Sequence, residues 1–346
     1  MKNTKRASVF LTILTYFSML SCSTLTYDTI YPTLKDGQYD SEFPYRSTSN
    51  ELEKISNAIQ RIISSAFYRV YVFNPDDNYT MEDLLKQRIE KIAAKEILTD
   101  NSSSGTALVV YSEGGNVALV TCSHTINFPD TIIAYKADTK GNPTKYIESI
   151  SIKERQVVYV AGFPEGSIVD VLVDDPKTDI AIIGRKYGVQ SGIRFPYFKF
   201  KMGRAKDLEW GTFVYLLGFP MNNKMITKGI VSSPNKDDIG SFLVDAVINP
   251  GFSGGIVLAI RDGVPNFELV GIVQSVPEEK EEMLYPDITD KAAGYNPVIP
   301  YKGAIYVKKH SSIRYGITRI IPVEALVKLI EENKSYLIKE GFPIFQ

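Results

Sequence analysis

Histidine and cysteine are scarce: His124, His310, Cys22 and Cys122 are the only ones in 346 residues. Two distant histidines and one spare cysteine make no ligand cluster, so neither a metal nor a cofactor is expected. Blocks of one charge sign are also missing. The 39 basic and 40 acidic residues leave a formal net charge of -1, which points away from nucleic acid and anionic surfaces as partners. The apolar run Val9 to Leu20 is too short for a comfortable transmembrane helix. Alternating βα units are absent, which argues against a parallel α/β fold. What remains is the balance of a folded globular protein, 44% hydrophobic and 23% charged, long enough for one large domain or two barrel-like halves.

The opening "MKNTKRASVFLTILTYFSMLSC" sets Lys2, Lys5 and Arg6 before the apolar run and reads as a secretory signal peptide over 1–22. Met19-Leu20-Ser21-Cys22 resembles a bacterial lipobox. The resemblance implies cleavage before Cys22 and lipidation of its thiol, hence a membrane anchor in a bacterial envelope, facing the outer membrane or periplasm. Ordinary signal-peptide cleavage is the alternative. With Cys22 lipidated, Cys122 has no disulfide partner, and the exported fold relies on its core alone.

Residues 23–50 are polar and read as a tether. Leu52, Ile55, Ile59, Ile62 and Ala66 recur at helical spacing, which predicts a helix from Asn50. "FYRVYVF" predicts a strand, and "TMEDLLKQRIEKIAAKEIL" a second helix capped by Thr80 and Asp83. From "GTALVVY" onward, short β-rich runs separated by turns predict an all-β sandwich or barrels. A closing helix is expected over 322–340. Pro277 to Lys309 is expected to be a long surface loop with a short hairpin. Trp210 is expected to pack at the start of the second half.

"NPGFSGGIVLAI" holds one serine, Ser253, among glycines that permit strained or closely approached backbone. A serine hydroxyl needs a base, usually a histidine oriented by a carboxylate. His124 ends the strand-like run "ALVTCSHTI", and Asp179 leads into the apolar "IAII", where a part-buried carboxylate needs a donor. Asp174 and Asp175 precede Pro176 and read as local turn caps.

"VTCSHTI", "DPKTDIAII" and "DAVINPGFSGG" follow in the order His, Asp, Ser and resemble the three signatures of trypsin-like serine peptidases, most of all the HtrA/Deg branch. The likeness covers roughly Phe67 to Leu329. It implies a double β-barrel with N-terminal helices and a C-terminal helix, barrels over about 67–200 and 207–321, and a protease domain over 51–346; as a departure from that branch, no PDZ domain is expected. It implies a serine endopeptidase acting on polypeptide, with Ser253 as nucleophile, His124 as base and Asp179 fixing the imidazole. Backbone N–H groups of Gly251 and Ser253 would hold the oxyanion. By family register Val247 would floor the first substrate pocket, and Gln274, Ser275 and Val276 would wall it, favouring cleavage after small or medium aliphatic residues. Phe252 departs from the Asn common in this branch, Cys122-Ser123 from Asn-Ala, and Ile256 from Pro.

Two other readings compete. "GFSGG" also fits the nucleophile elbow of α/β-hydrolases, with Asp287 or Asp290 and His310 following, but "GGIVLAIRDG" after Ser253 reads as strand and hairpin where that elbow needs a helix. The other is a catalytically silent protease fold serving as an anchored scaffold.

Overall fold

The computed structural model describes residues 35–138, 143–164, 168–188, 192–275, 278–286, 298, 305–313 and 316–344. The signal-like segment with Cys22 lies outside them, as do Val276 and most of 287–304.

Seven strands form the first sheet: β1 (Ile59–Val72), β2 (Lys95–Glu113), β3 (Asn116–Thr121), β4 (Thr131–Ala137), β5 (Pro143–Val160), β6 (Ile168–Asp175) and β7 (Ile180–Lys186). Their order is β1-β2-β3-β7-β6-β5-β4, and β1 pairs with β5 to close six strands into a barrel, leaving β4 attached outside. The second half contains β8 (Lys201–Met202), β9 (Phe213–Gly218), β10 (Met225–Ser233), β11 (Phe242–Asp245), β12 (Ile256–Ile260), β13 (Phe267–Ser275), β14 (Glu278–Pro286), β15 (Ile305–Ile313) and β16 (Thr318–Pro322). Here β12-β9-β10-β11-β16-β13 closes through the β12–β13 pair, with β8 outside. The all-β double barrel is thus present, and closure leaves each ring without free edges where its strands overlap.

Burial follows strand alternation. Ile62, Ser64, Ala66 and Tyr68 of β1 are buried while their neighbours are not. The first core gathers Ala107, Val109, Leu119, Val158 and Ile183; the second gathers Val214, Leu216, Phe242, Val257 and Val270. A third cluster bridges the barrels, joining Leu108, Val120 and Ile182 to Leu217, Ile256 and Ile272. The site lies at this junction.

Several expectations need correction. The helix expected from Asn50 stops early: α1 spans Ser49–Ser56, and Ile59, Ile62 and Ala66 belong to β1. The helix expected after Thr80 becomes two short turns, α2 (Met81–Leu85) and α3 (Ile89–Ile92), before β2 starts at Lys95. In both places long-range pairing of β1 with β2, from Ile59↔Leu108 to Val72↔Lys95, overrides local helical spacing. The Asp83 carboxylate does accept from the Thr80 N–H at 2.9 Å. The closing helix is also divided, into α4 (Val323–Glu332) and α5 (Lys334–Lys339), at Asn333.

The described part of the tether is docked on the second barrel. Tyr39 is buried, bridges Arg261, and donates from its hydroxyl to Glu268 at 2.7 Å. In 277–309 the hairpin is long, not short: β14 and β15 are nine residues each and pair from Glu278↔Ile313 to Pro286↔Ile305. Trp210 is 72% exposed and does not pack inside; it precedes a turn at Gly211, whose φ is +86°. Among the described residues, no helix is long and apolar enough to cross a membrane.

Candidate active site

Two loops from the first barrel and one from the second meet. Leaving β3, the chain makes a single 3-10 turn, Ser123–Thr125, that carries His124 out of the sheet. Asp179 precedes β7 with φ at +60°, a left-handed conformation rare for a residue with a side chain. The turn before it is held by Asp175, which accepts from the Lys177 N–H and the Thr178 hydroxyl. The strained Asp179 is buried, and its carboxylate faces His124. Oδ2 lies 2.7 Å from His124 Nδ1, and Oδ1 accepts from the His124 backbone N–H at 2.8 Å.

Burial pushes the Asp179 carboxyl up, but hydrogen bonds from the His124 ring and backbone outweigh it and hold the group below the usual carboxylate range. The Gln274 side chain adds to this lowering. Gln274 therefore supports the acid as well as standing at the end of β13. A lone amide after the apolar run of β13 was the available sequence signal. The carboxylate stays ionised at neutral pH and favours the Nδ1–H tautomer, which leaves Nε2 free to take a proton.

Ser253 enters from the second barrel in the loop between β11 and β12. Its carbonyl accepts from the Thr106 N–H of β2 at 2.8 Å, which pins the serine against the first barrel. Thr106 Oγ1 donates to the Gly251 carbonyl at 2.8 Å and accepts from the Phe219 N–H at 2.9 Å. Thr121 Oγ1 in turn donates to the Thr106 carbonyl at 2.7 Å. Sequence reasoning missed Thr106; a single hydroxyl beside "ALVV" is its only trace.

Gly251 has φ at +96° and Gly254 at +82°. A Cβ at Gly254 would overlap the Thr106 carbonyl oxygen, so the close approach of the barrels requires glycine there. The Pro250 carbonyl is held by the Met221 N–H at 2.9 Å. In a planar trans peptide the following Gly251 N–H points the opposite way. Neither the Gly251 nor the Ser253 N–H has an acceptor among the described residues, so both donors are available. Phe252, between them, buries its ring in the second core against Gly218 and Gly255. Among the described residues no hydrogen bond joins Ser253 Oγ to His124.

Of the expected pocket residues, Val247 lies beyond the end of β11 and is 61% exposed, an open surface and not a closed floor. Ser275 ends β13 opposite Arg319, and Val276 falls outside the described residues. Ligand atoms of Cys122, His124 and Asp179 approach within 4.8 Å of one another. They suit a metal poorly. Burial, then the Asp179 charge, pushes the Cys122 thiol far up, and its Sγ–H is spent on the Val273 carbonyl. The strand β12 after Ser253, paired antiparallel with β9 and β13, removes the hydrolase-elbow reading.

Residues 105–272 match the family described as "Trypsin-like peptidase domain". A serine protease HtrA-like protein of Staphylococcus haemolyticus is 26% identical over 191 residues, 43% of this chain but only 30% of that protein's length. Among solved structures, an HtrA-type protease with a decapeptide has a TM-score of 0.46 at 17% identity, covering 86% of this chain and 68% of that one. The serine endoprotease from Yersinia pestis gives 0.40 at 18%, covering 87% and 70%. Residues 105–272, which carry His124, Asp179 and Ser253, are a trypsin-like peptidase domain similar to that of HtrA-like proteases.

Proposed function

We propose that the protein is an exported serine endopeptidase. The observation that carries this reading is the Asp179–His124 couple at 2.7 Å, formed beside a serine whose flanking N–H donors are free. Ser253 Oγ attacks the scissile carbonyl carbon while His124 Nε2 takes its proton. The Gly251 and Ser253 N–H groups receive the negative charge on the carbonyl oxygen. Collapse of the tetrahedral intermediate breaks the C–N bond, and His124 returns the proton to the leaving amine. Water then repeats the sequence on the acyl-enzyme. By family register the segment 274–276 would pair with the substrate before the cleaved bond, and the exposed Val247 would meet the side chain there, with small or medium aliphatic residues preferred.

Export through the 1–22 signal, lipidation at Cys22, and a role in envelope protein quality control or processing of a partner complete the proposal. Its support is the lipobox-like Met19–Cys22 and the likeness to HtrA-like proteases.

One observation favours the silent-scaffold reading: the missing Ser253–His124 hydrogen bond. Catalytic hydrogen bonds are often long in unliganded enzymes and tighten around substrate, so labelling decides. A fluorophosphonate probe should modify the mature wild type but neither Ser253→Ala nor His124→Ala. A folded wild type that takes no label would favour the scaffold.

A further inference from the structure

We propose that the outer half of β2, Glu96 to Ser104, binds the polypeptide that continues C-terminal to the scissile bond, which joins the sheet as an added antiparallel strand. The proposal rests on the endopeptidase reading above.

β2 pairs with β1 along its whole outer length, from Ile59↔Leu108 to Val72↔Lys95. On its other side β3 reaches only to Leu108. From Thr106 to Lys95 that second edge meets no strand among the described residues. The edge begins at the candidate site itself. Thr106 spends its N–H on the Ser253 carbonyl and its C=O on Thr121 Oγ1, both on the side away from β1.

Backbone groups alternate along a strand, so the residues two, four, six, eight and ten before Thr106 turn their N–H and C=O to that same side. These are Ser104, Ser102, Asp100, Leu98 and Glu96. The opposite parity is visible at Val109, whose N–H goes to Ala58 on the β1 side. Every residue from Lys95 to Ser102 is exposed. The open edge from Glu96 to Ser104 spans roughly 27 Å, enough for about nine substrate residues in extended form.

Chain direction fits. β2 runs toward Ser253, whereas substrate downstream of the cleaved bond runs away from it, so the two are antiparallel. The upstream part is assigned to the end of β13 on the other barrel, which leaves the β2 side for the downstream part. A free edge this long is an association hazard. Lys95, Glu96 and Asp100 charge it, which discourages self-pairing without blocking an unfolded chain. Leu98, 67% exposed, is the exception. Cross-strand pairing then favours an aliphatic substrate residue opposite Leu98 and a basic one opposite Asp100.

Proline tests the edge, because it is tolerated in an edge strand where its missing N–H faces solvent. Ser102→Pro removes one outward donor and no backbone bond to β1, while also losing the Ser102 Oγ–Ser65 Oγ bond at 2.8 Å. Hydrolysis would be compared on reduced, carboxymethylated casein and on a short chromogenic peptide whose leaving group directly follows the scissile bond. The expected result is a roughly tenfold lower kcat/KM on casein with the short peptide unchanged. Equal activity on casein would overturn the proposal. Should Ser102→Pro fail to fold by circular dichroism, Leu98→Pro gives the same readout. If wild type cleaves neither substrate, the endopeptidase reading has failed, and hydrogen exchange on Ser253→Ala with the same casein still decides. Protection of the Ser102, Asp100 and Leu98 amides supports an added strand; no protection there overturns it.

Discussion

Thr106 does at one position what several residues of the motifs cannot. Its N–H holds the serine carbonyl, and its hydroxyl links the Gly251 carbonyl to the Phe219 N–H. The Gly251–Phe252 peptide, adjoining the one that carries the Gly251 N–H, is therefore held by a first-barrel side chain that touches no substrate, which makes Thr106 a positioning residue. Thr106→Val keeps the shape and deletes the hydroxyl, leaving the Phe219 N–H without its acceptor. We expect kcat to fall about 10–100-fold with KM nearly unchanged, since an oxyanion donor acts in the transition state. Thr106→Ser should restore most of the loss. An equal loss in the serine variant would mean that packing, not the hydroxyl, matters here.

At the scale of elements, strands that close the barrels can be cut from those that do not. β14 and β15 pair with each other and form their own two-stranded sheet. Their entry and exit lie side by side, because Ser275 pairs with Arg319 across β13 and β16. Replacing 278–315 by a short Gly-Ser turn should therefore leave Tm within a few degrees; a fall of more than about 10 °C would mean the ribbon supports the second barrel. The motif strands were legible because apolar runs such as "IAII" and "GGIVLAI" are buried on both faces and bounded by turns. His124 and Asp179 could be paired for a physical reason, since an acid opening a buried strand needs a donor. The inner half of β1 and the outer half of β2 were illegible. Their residues carry helical spacing at 52–66 and 80–98, and only pairing between residues far apart in sequence chooses the strand. The Thr106 linkage was hidden for the same reason, as its partners come from the other barrel.

Over the whole molecule, both ends of the described chain strap the barrels. After α5, Phe342 is buried within the cluster that joins them, and the Gly341 carbonyl accepts from Asn116 Nδ2 on β3 at 2.9 Å. At the other end, Tyr39 lies under the Arg261 guanidinium, and Asp40 accepts from the Gly263 N–H. Burial pushes the Asp40 carboxyl up from 3.8 to about 6, the Gly263 bond opposing and the charges of Glu42, Asp262 and Asp36 assisting. The folded protein thus keeps a proton that the unfolded chain has lost, so this group's stability is full below pH 4 and declines as pH rises through 6. Asp40→Asn should raise stability at pH 8 by on the order of 1–3 kcal/mol over wild type, and not at pH 4. Thermal melts at both pH values test this, and an equal gain at both would remove ionisation as the cause.

The docked Tyr39 also sets a leash. With Cys22 lipidated as proposed, 16 residues separate lipid from dock, and the 17 Cα–Cα steps (39 − 22) even fully extended reach about 60 Å. Such an enzyme patrols only a thin layer above its membrane, and its substrates are selected first by how near that surface they come unfolded.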